Sequence, residues 1–507
     1  MGTFFDKTRF DQGIVSAIYP KAPAGIYFPG EGGVPNTDAW QSNNWKRFAP
    51  RVGLAFDPKG DGLTVIRASY GIFFDFAHLH QYGGKRDTAP KGAQITVNSP
   101  SLDDPWAGMP GGNPFPLALD KNSTFPLNGT YAIFPYNLKK PYINQWNMSV
   151  QHQFGANWLV AGNYIGSNII HMLYRYEANP AIYFSNGTNT CRLANGVTLT
   201  NPLGGTECST IANTNQRRLL NLQNPAIGQY YANIVMGDDG NTRTYNALVL
   251  SVQRRRAKGI TVQGNYTYSH CIDDGYNDVI QNTGGQIQSR RGVNRGNCEL
   301  DRRHNFNMST VYETPRFGST ALRVLASGWQ ISGIVRAVTG AYLSVSSGTD
   351  VARAGTIPPM GQNTTSMGVD QRPNQILPSP YVPNKGSNSG CLDPSPSPYP
   401  CWLNPFAVGP VALGSYGSLG SRNIAGPGSI RIDTGLTRSF AIKEKQSLQL
   451  RAEAFNVANH ANYCAPPFQG IVPALNCPDN NFLSPTFGKL LNASDPRIMQ
   501  IALKYVF

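Results

Sequence analysis

At 507 residues, with 53 glycines, 38 prolines and a net charge of +14, the chain is too long for one ordinary soluble core, yet no linker divides it. No run of about 18 apolar residues occurs, which excludes a membrane-spanning helix. Only 14% of residues are charged, 11% are Phe, Trp or Tyr, and no helical periodicity of useful length appears, so the composition is that of an all-β chain with long irregular segments.

The amino terminus, MGTFFDKTRFDQG, carries no apolar h-region and reads as having no signal peptide. Expected strands then run roughly over 2–10, 47–57, 63–74, 142–154, 157–168, 243–255, 259–270, 303–314, 328–345, 430–440, 446–457 and 497–507. In NQWNMSVQHQF, Trp146, Met148, Val150 and Phe154 oppose Gln145, Asn147, Ser149, Gln151 and Gln153. In GITVQGNYTYSH, Ile260, Val262, Tyr266 and Tyr268 oppose Thr261, Gln263, Asn265, Thr267 and Ser269. SIRIDTGLTRSF sets Ile430, Ile432, Leu436 and Phe440 against Arg431, Asp433, Thr437 and Ser439, and SLQLRAEA sets Leu448 and Leu450 against Gln449, Arg451 and Glu453. The last stretch, RIMQIALKYVF, places Met499, Ile501, Leu503, Tyr505 and Phe507 on one face. Each is the period-two signature of a strand with one apolar and one mixed face.

A soluble β-sandwich also alternates, but aromatic residues do not especially mark its strand ends. Here they do, at Trp146, Phe154, Trp158, Tyr266, Tyr268, Trp329, Tyr505 and Phe507. Aromatic girdles flanking an apolar outer face around a polar lumen are the pattern of an antiparallel transmembrane β-barrel. Connections alternate too: PKGDG, GA, RAK, the segment around PRFGST and AIKEK are short, whereas the others are long. Short periplasmic turns and long extracellular loops have this distribution. On that reading Leu448, Leu450 and Ile501 face lipid, while Gln449, Arg451, Glu453, Arg431 and Asp433 face the lumen.

The eight cysteines fall as Cys191 and Cys208, Cys271 and Cys298, Cys391 and Cys401, and Cys464 and Cys477, each pair in or at the rim of one long loop. Of the 105 pairings that eight cysteines allow, this placement favours the nearest-neighbour one. Such bridges belong to an oxidising compartment. Eight unrelated thiols are the alternative, and a zinc site is disfavoured because no Cys-x-x-Cys occurs.

Several ordered blocks carry a family resemblance: RFAPRVGLAFDPKGDGLTVIRASYGIFFD, YINQWNMSVQHQF, TYNALVLSVQRR, NYTYSHCIDD, DRRHNFNMSTVYETP, GWQISGIV, LQLRAEAFNVANHANY and DPRIMQIALKYVF. From about residue 45 onward the chain resembles the carboxyl-terminal barrel portion of TonB-dependent outer-membrane receptors, most of all Oar-like receptors with a carboxypeptidase-regulatory-like extension. The resemblance implies an outer-membrane transporter. It also implies that Leu503, Tyr505 and Phe507 form the terminal signal read by the outer-membrane assembly machinery. Plugged transporter barrels have 22 strands, against about 12 expected here, and neither the plug nor its TonB contact segment is recognisable. Residues 1–507 therefore read as the carboxyl-terminal portion of a receptor, coupled to the TonB system only if a plug is supplied upstream.

Other candidates are weak. CIDDGYND and GDDGN offer carboxylates for Ca²⁺ but fit no EF-hand loop, and His78 and His80 lack further metal ligands. RRRAK sits at a short turn, and the positive charge is spread along the chain, which argues against nucleic-acid binding. DRRHN provides no nucleophile with an orienting partner, so neither catalysis nor a cofactor is expected. Partners are lipid, the assembly machinery and an unknown bulky nutrient; a structural or adhesive surface protein is the alternative.

One test follows from the terminal strand. Deleting Phe507 removes a burial contribution of only about 2–3 kcal/mol, so loss of stability alone predicts a mild effect. A signal role predicts a sharp fall in outer-membrane insertion, read as periplasmic accumulation of the deletion variant exported behind a supplied signal peptide.

Overall fold

The structure, a computed structural model, describes residues 2–37, 41–43, 45, 47–75, 89–90, 103–104, 120–185, 191–192, 198–199, 207–211, 213–274, 291–355, 371–392, 398–443, 446–464 and 478–507. Its centre is a thirteen-stranded sheet. Eleven strands form an antiparallel meander in chain order: Arg51–Phe56, Thr64–Phe74, Tyr142–Phe154, Trp158–Glu177, Tyr231–Ala257, Ile260–Asp273, His304–Glu313, Trp329–Val338, Ser429–Lys443, Gln446–Phe455 and Ile498–Val506. Two short strands lie off this path. Gly129–Ile133 pairs parallel to the start of Tyr231–Ala257, and Gly296–Asn297 pairs with the end of Ile260–Asp273. The first and last meander strands each have one neighbour, so the sheet is open at both edges.

Register converts the alternation into two faces. One row across the sheet runs Phe56, Ile66, Val150, Gly162, Leu250, Tyr266, Phe306, Ala337 and Ile430. The next row, on the opposite face, runs Gln151, Ala161, Ser251, Asn265, Asn307, Arg336 and Arg431. Because side chains alternate along each strand, the first face is mostly apolar, with Arg254 and Arg438 near its short-turn end, and the second mostly amide, hydroxyl and guanidinium. Among the described residues no second layer covers the apolar face: Met148, Val150, Val160, Leu248, Leu250, Leu436 and Ile501 are all exposed. A soluble sandwich would bury that face against a second sheet, and none is present among the described residues.

Aromatic residues bound the apolar face at both ends. Toward the long loops stand Tyr70, Trp146, Tyr164 and Tyr268. Trp146 covers Gly166 on the next strand, where a Cβ would lie 2.3 Å from the indole. Toward the short turns stand Phe154, Trp158, Trp329, Phe440 and Tyr505, with Arg254 stacked on Trp158 at 5.2 Å. One two-residue turn is Lys258–Gly259, both at positive φ (49° and 77°) between the paired Ala257 and Ile260. Two left-handed central residues make the type I′ geometry that matches strand twist.

Eight of the eleven meander strands lie where alternation predicts with end shifts of about four residues or fewer, and another, expected over 328–345, stops at Val338. Residues 2–10 are the correction. They form the two-residue strand Phe4–Phe5, paired with Ile26–Tyr27, and the helix Lys7–Asp11. Asp6 caps that helix by accepting from Arg9 N at 2.9 Å, and Phe4 and Phe10 are buried, so this segment belongs to a folded layer outside the meander. Two strands are also longer than expected. Trp158–Glu177 has 20 residues and Tyr231–Ala257 has 27, against the 9–11 that span a bilayer. Their extra length stays paired from Met172–Asn241 to Glu177–Val235, through register shifts around Asn241. This carries the pair roughly 40 Å past the aromatic rim.

Both substantial apolar cores lie at this long-loop end. One gathers Phe10, Tyr19, Ile26, Phe28, Phe125, Tyr131, Leu220, Tyr231 and Ile234. The other gathers Val345, Leu403, Val408, Leu419, Ile424 and Phe487. Among the described residues, the part of the sheet between the two aromatic rims has no comparable core.

On a face that meets lipid, Leu436→Arg costs about 2–4 kcal/mol, and the adjacent polar-face change Thr437→Arg much less. Equilibrium unfolding of both variants in lipid checks the assignment; equal tolerance would refute it. Leu436 suits the test better than Leu450, whose register neighbour Arg438 stands at the short-turn rim.

Candidate functional site

The candidate site comprises the polar face and the platform of long loops above it. Arg431 donates from Nε to Asp433 at 2.9 Å, and Asp433 also accepts from Asn456 N at 2.8 Å. Arg451 Nε donates to Gln449 Oε1 at 2.9 Å, Gln449 Nε2 donates to Ser439 Oγ at 3.3 Å, and Glu453 accepts from Gln500. All five residues expected to face a lumen thus lie on the polar face. Further along it Arg67 donates to Gln151 at 2.8 Å and Asn147 to Ser69 at 2.7 Å. The side chains hold one another in short polar chains, as a water-facing surface permits and hydrocarbon does not.

The platform is held by buried charge. Glu177, at the projecting end of its strand, accepts from Asn179 N at 2.8 Å, Ile234 N at 2.9 Å and Asn233 Nδ2 at 2.5 Å, with Arg218 Nη1 at 3.7 Å. Burial pushes its carboxyl pKa up, and Arg218 and these hydrogen bonds pull it back. Arg218 in turn donates to Asn179 O at 2.7 Å, Asn233 Oδ1 at 2.9 Å and Gly355 O at 3.3 Å. Its neighbour Arg217, fully buried, donates to Asn213, Thr210 O, Ile182 O and Arg353 O. Burial brings its pKa down to about 10, against the opposing pull of Asp350. Asp350 accepts from Ala354 N, Gly355 N and Gln371 Nε2. Two loops far apart in sequence are locked together by these arginines.

A second buried cluster centres on Asp273, which pairs with Arg422 at 2.6 Å and Arg243 at 3.1 Å. Arg372 donates to Leu419 O at 2.8 Å and Val293 O at 3.0 Å nearby. Disulfides add to both regions. Cys271 and Cys298 are bridged with Cα atoms 5.3 Å apart, and Cys391 and Cys401 with Cα atoms 5.2 Å apart. Cys208 and Cys464 are disulfide-bonded as well; Cys477 and the side chain of Cys191 lie outside the described residues.

The weaker motifs dissolve into this framework. Asp274 of CIDDGYND pairs with Arg295 at 2.7 Å and accepts from Thr242. In GDDGN, Asp238 accepts from Gly240 N and Asp239 from Lys139 N, so the two carboxylates serve different partners. His78 and His80 lie outside the described residues. Asp301 of DRRHN accepts from Cys271 N at 3.0 Å and pairs with Arg303, while His304 meets the Tyr266 hydroxyl at 2.6 Å. Among the described residues no group of three His, Cys, Asp or Glu converges as metal ligands do. At the carboxyl terminus Leu503 pairs with Leu450, and Tyr505 stacks with Phe507 at 5.9 Å. All three are exposed on or beside the edge strand.

Alternation does not mark Glu177, Arg217, Arg218, Asp350, Arg372 or Arg422, because they lie in or border long loops. The available signal is the doubled arginine of NQRRLL in a loop otherwise almost free of charge.

The family model described as outer membrane beta barrel domain matches residues 3–500. No curated protein sequence matches the chain. Among solved structures, the outer membrane transporter YddB of Escherichia coli is similar at TM-score 0.41 and 9% identity, over 90% of this chain and 40% of that one. The ferripyoverdine receptor of Pseudomonas aeruginosa aligns at TM-score 0.36 and 11% identity, over 91% of this chain and 33% of that one. BauA, the ferric preacinetobactin receptor of Acinetobacter baumannii, aligns at 0.35 and 11%, over 90% and 36%. The chain spans 40% or less of the length of each.

Removing one partner of the buried pair tests the platform. Arg218→Met leaves the Glu177 carboxylate buried without its cation and costs about 3–5 kcal/mol. Amide exchange at Asn179 and Ile234, both donors to Glu177, should accelerate, while exchange in the membrane-level stretch Leu248–Gln253 stays unchanged.

Proposed function

We propose a receptor role for this chain, which belongs to the outer membrane β-barrel domain family and is a protein of the outer membrane. Residues 1–507 are the carboxyl-terminal portion of an Oar-like, TonB-dependent receptor barrel that takes up a bulky nutrient: a glycan, a peptide or a metal chelate. The observation that carries this reading is the continuity of the polar face with the cross-tied platform above it. Arg67, Gln151, Asn265, Asn307, Arg336, Arg431, Asp433, Gln449, Arg451 and Glu453 line one side of a lumen. The aromatic, disulfide-tied loops meet the ligand first.

Strand direction supports the portion reading. The connections 57–63, 155–157, 258–259, 314–328 and 444–445 are short, and the others are long. With short turns periplasmic, Arg51–Phe56 and Ile498–Val506 both descend toward the periplasm. Two strands running the same way cannot pair antiparallel, so closure takes an odd number of additional strands between them. Eleven would complete a barrel of about 22. A plug and its TonB contact would come with those strands, and uptake depends on them. Leu503, Tyr505 and Phe507 serve the assembly machinery on the periplasmic side.

One feature favours the alternative of a surface adhesin without transport: the eleven strands by themselves enclose no lumen. Deleting the segment that encodes residues 1–507 in the native host separates the two. Lost growth on glycan, peptide or chelated iron as sole source supports uptake. Unchanged growth on all three, with reduced cell attachment, supports adhesion and overturns the receptor reading.

A further inference from the structure

The connection between Glu313 and Trp329 differs from the other turns at its end of the sheet. It carries a helix, Thr320–Ala326, in which Leu322, Val324 and Leu325 are 51%, 60% and 72% exposed. Around a helical turn of 100° per residue, Ala321, Leu322, Val324, Leu325 and Ala326 occupy one broad arc, and Arg323 is the single charge outside it. Apolar side chains this open to water would be costly in a soluble turn.

The helix is fastened to the apolar side of the sheet. Its last carbonyls lack intrahelical donors, and two side chains supply them. Trp329 Nε1 donates to Leu325 O at 2.7 Å, and Arg438 donates to Leu325 O at 3.1 Å and Arg323 O at 3.5 Å. Trp329 and Arg438 are register partners in the apolar-face row that continues through Leu450 and Leu503. Arg438 also stacks on Phe440 at 4.5 Å and Trp329 at 5.3 Å. The helix is therefore rooted in the aromatic rim of that face, and its exposed leucines prolong the apolar surface beyond the last strand residues.

We propose that Thr320–Ala326 is an interfacial helix whose Leu322, Val324 and Leu325 insert among the acyl chains of periplasmic-leaflet phospholipid. The inference rests on the reading that the apolar face meets lipid. Continuity with that face identifies the occupant, and a Trp and Arg at the root of an apolar helix is the composition of a membrane-surface segment. The helix anchors this side of the barrel at a set depth, with Arg438 as the residue that positions it.

The test uses the protein in the outer membrane of its native host, with whatever strands close the barrel there, and reads cross-links to phosphatidylethanolamine and phosphatidylglycerol. A photoreactive leucine analogue is placed at Leu325 and, in separate preparations, at Leu250 in the apolar face and Leu483 in the long-loop platform. Leu325 should cross-link lipid at the Leu250 yield, about tenfold above Leu483. Arg438→Met should lower the Leu325 yield toward that of Leu483 and leave Leu250 unchanged. Labelling at Leu325 no greater than at Leu483, or cross-linking to a second copy of the chain, overturns the proposal while Leu250 still labels. Full Leu325 yield in Arg438→Met overturns the positioning role of Arg438. Failure of Leu250 to label overturns the membrane reading itself.

Discussion

A strand crossing hydrocarbon has no water to satisfy its backbone, so each N–H and C=O must find its partner in the adjacent strand. The meander of eleven strands answers that requirement by pairing every strand with its neighbour in sequence. Once the backbone is paired, side-chain alternation sorts the two faces automatically. Uncovered leucines and valines then need no second protein layer, because lipid is their layer. On the proposed reading, the same requirement makes the edges Arg51–Phe56 and Ile498–Val506 points of attachment, since an unpaired row of backbone groups cannot remain in hydrocarbon.

Outside the membrane different rules apply. There the protein assembles apolar cores around Tyr131 and Tyr231 and around Val345 and Leu403, and it buries arginines to bind loops together. Burying Arg217 and Arg218 costs desolvation, and that cost is offset only because every charged group meets carbonyls, amides or a carboxylate. Such networks favour one arrangement of the loops over many. A loop surface fixed in this way presents one constant set of groups to its surroundings.

The spanning strands were legible because their alternation is strict; Tyr142–Phe154 has the expected bounds at both ends. The extensions to Glu177 and back to Tyr231 were not legible. There Asp238, Asp239 and Gly240 resemble a turn, and register shifts around Asn241 break the period of two. Residues 2–10 misled for the opposite reason. Phe4, Phe5 and Phe10 suggest a strand, yet Asp6 supplies a helix cap and tertiary packing decides the outcome. The polar-face residues of the candidate site followed directly from parity. The buried arginines did not, because their meaning depends on contacts such as Arg217 with Arg353 O, 136 residues away. The helix at 320–326 lay within a segment that reads as a plain turn, and its seven residues are too few for a periodicity to stand out.

The arginine locks also impose an order of events. The strands joined by the five short turns are close in sequence, so those hairpins close the shortest loops. The Arg218 contacts need Glu177, Asn233 and Gly355, and those of Asp273 need Arg422, 149 residues further along the chain. Loop-closure entropy delays contacts of that separation. The sheet is thus expected to pair while its outer layer is still loose. Until Asp273 meets Arg422, a paired sheet carries an unlocked outer layer, the state most open to proteases.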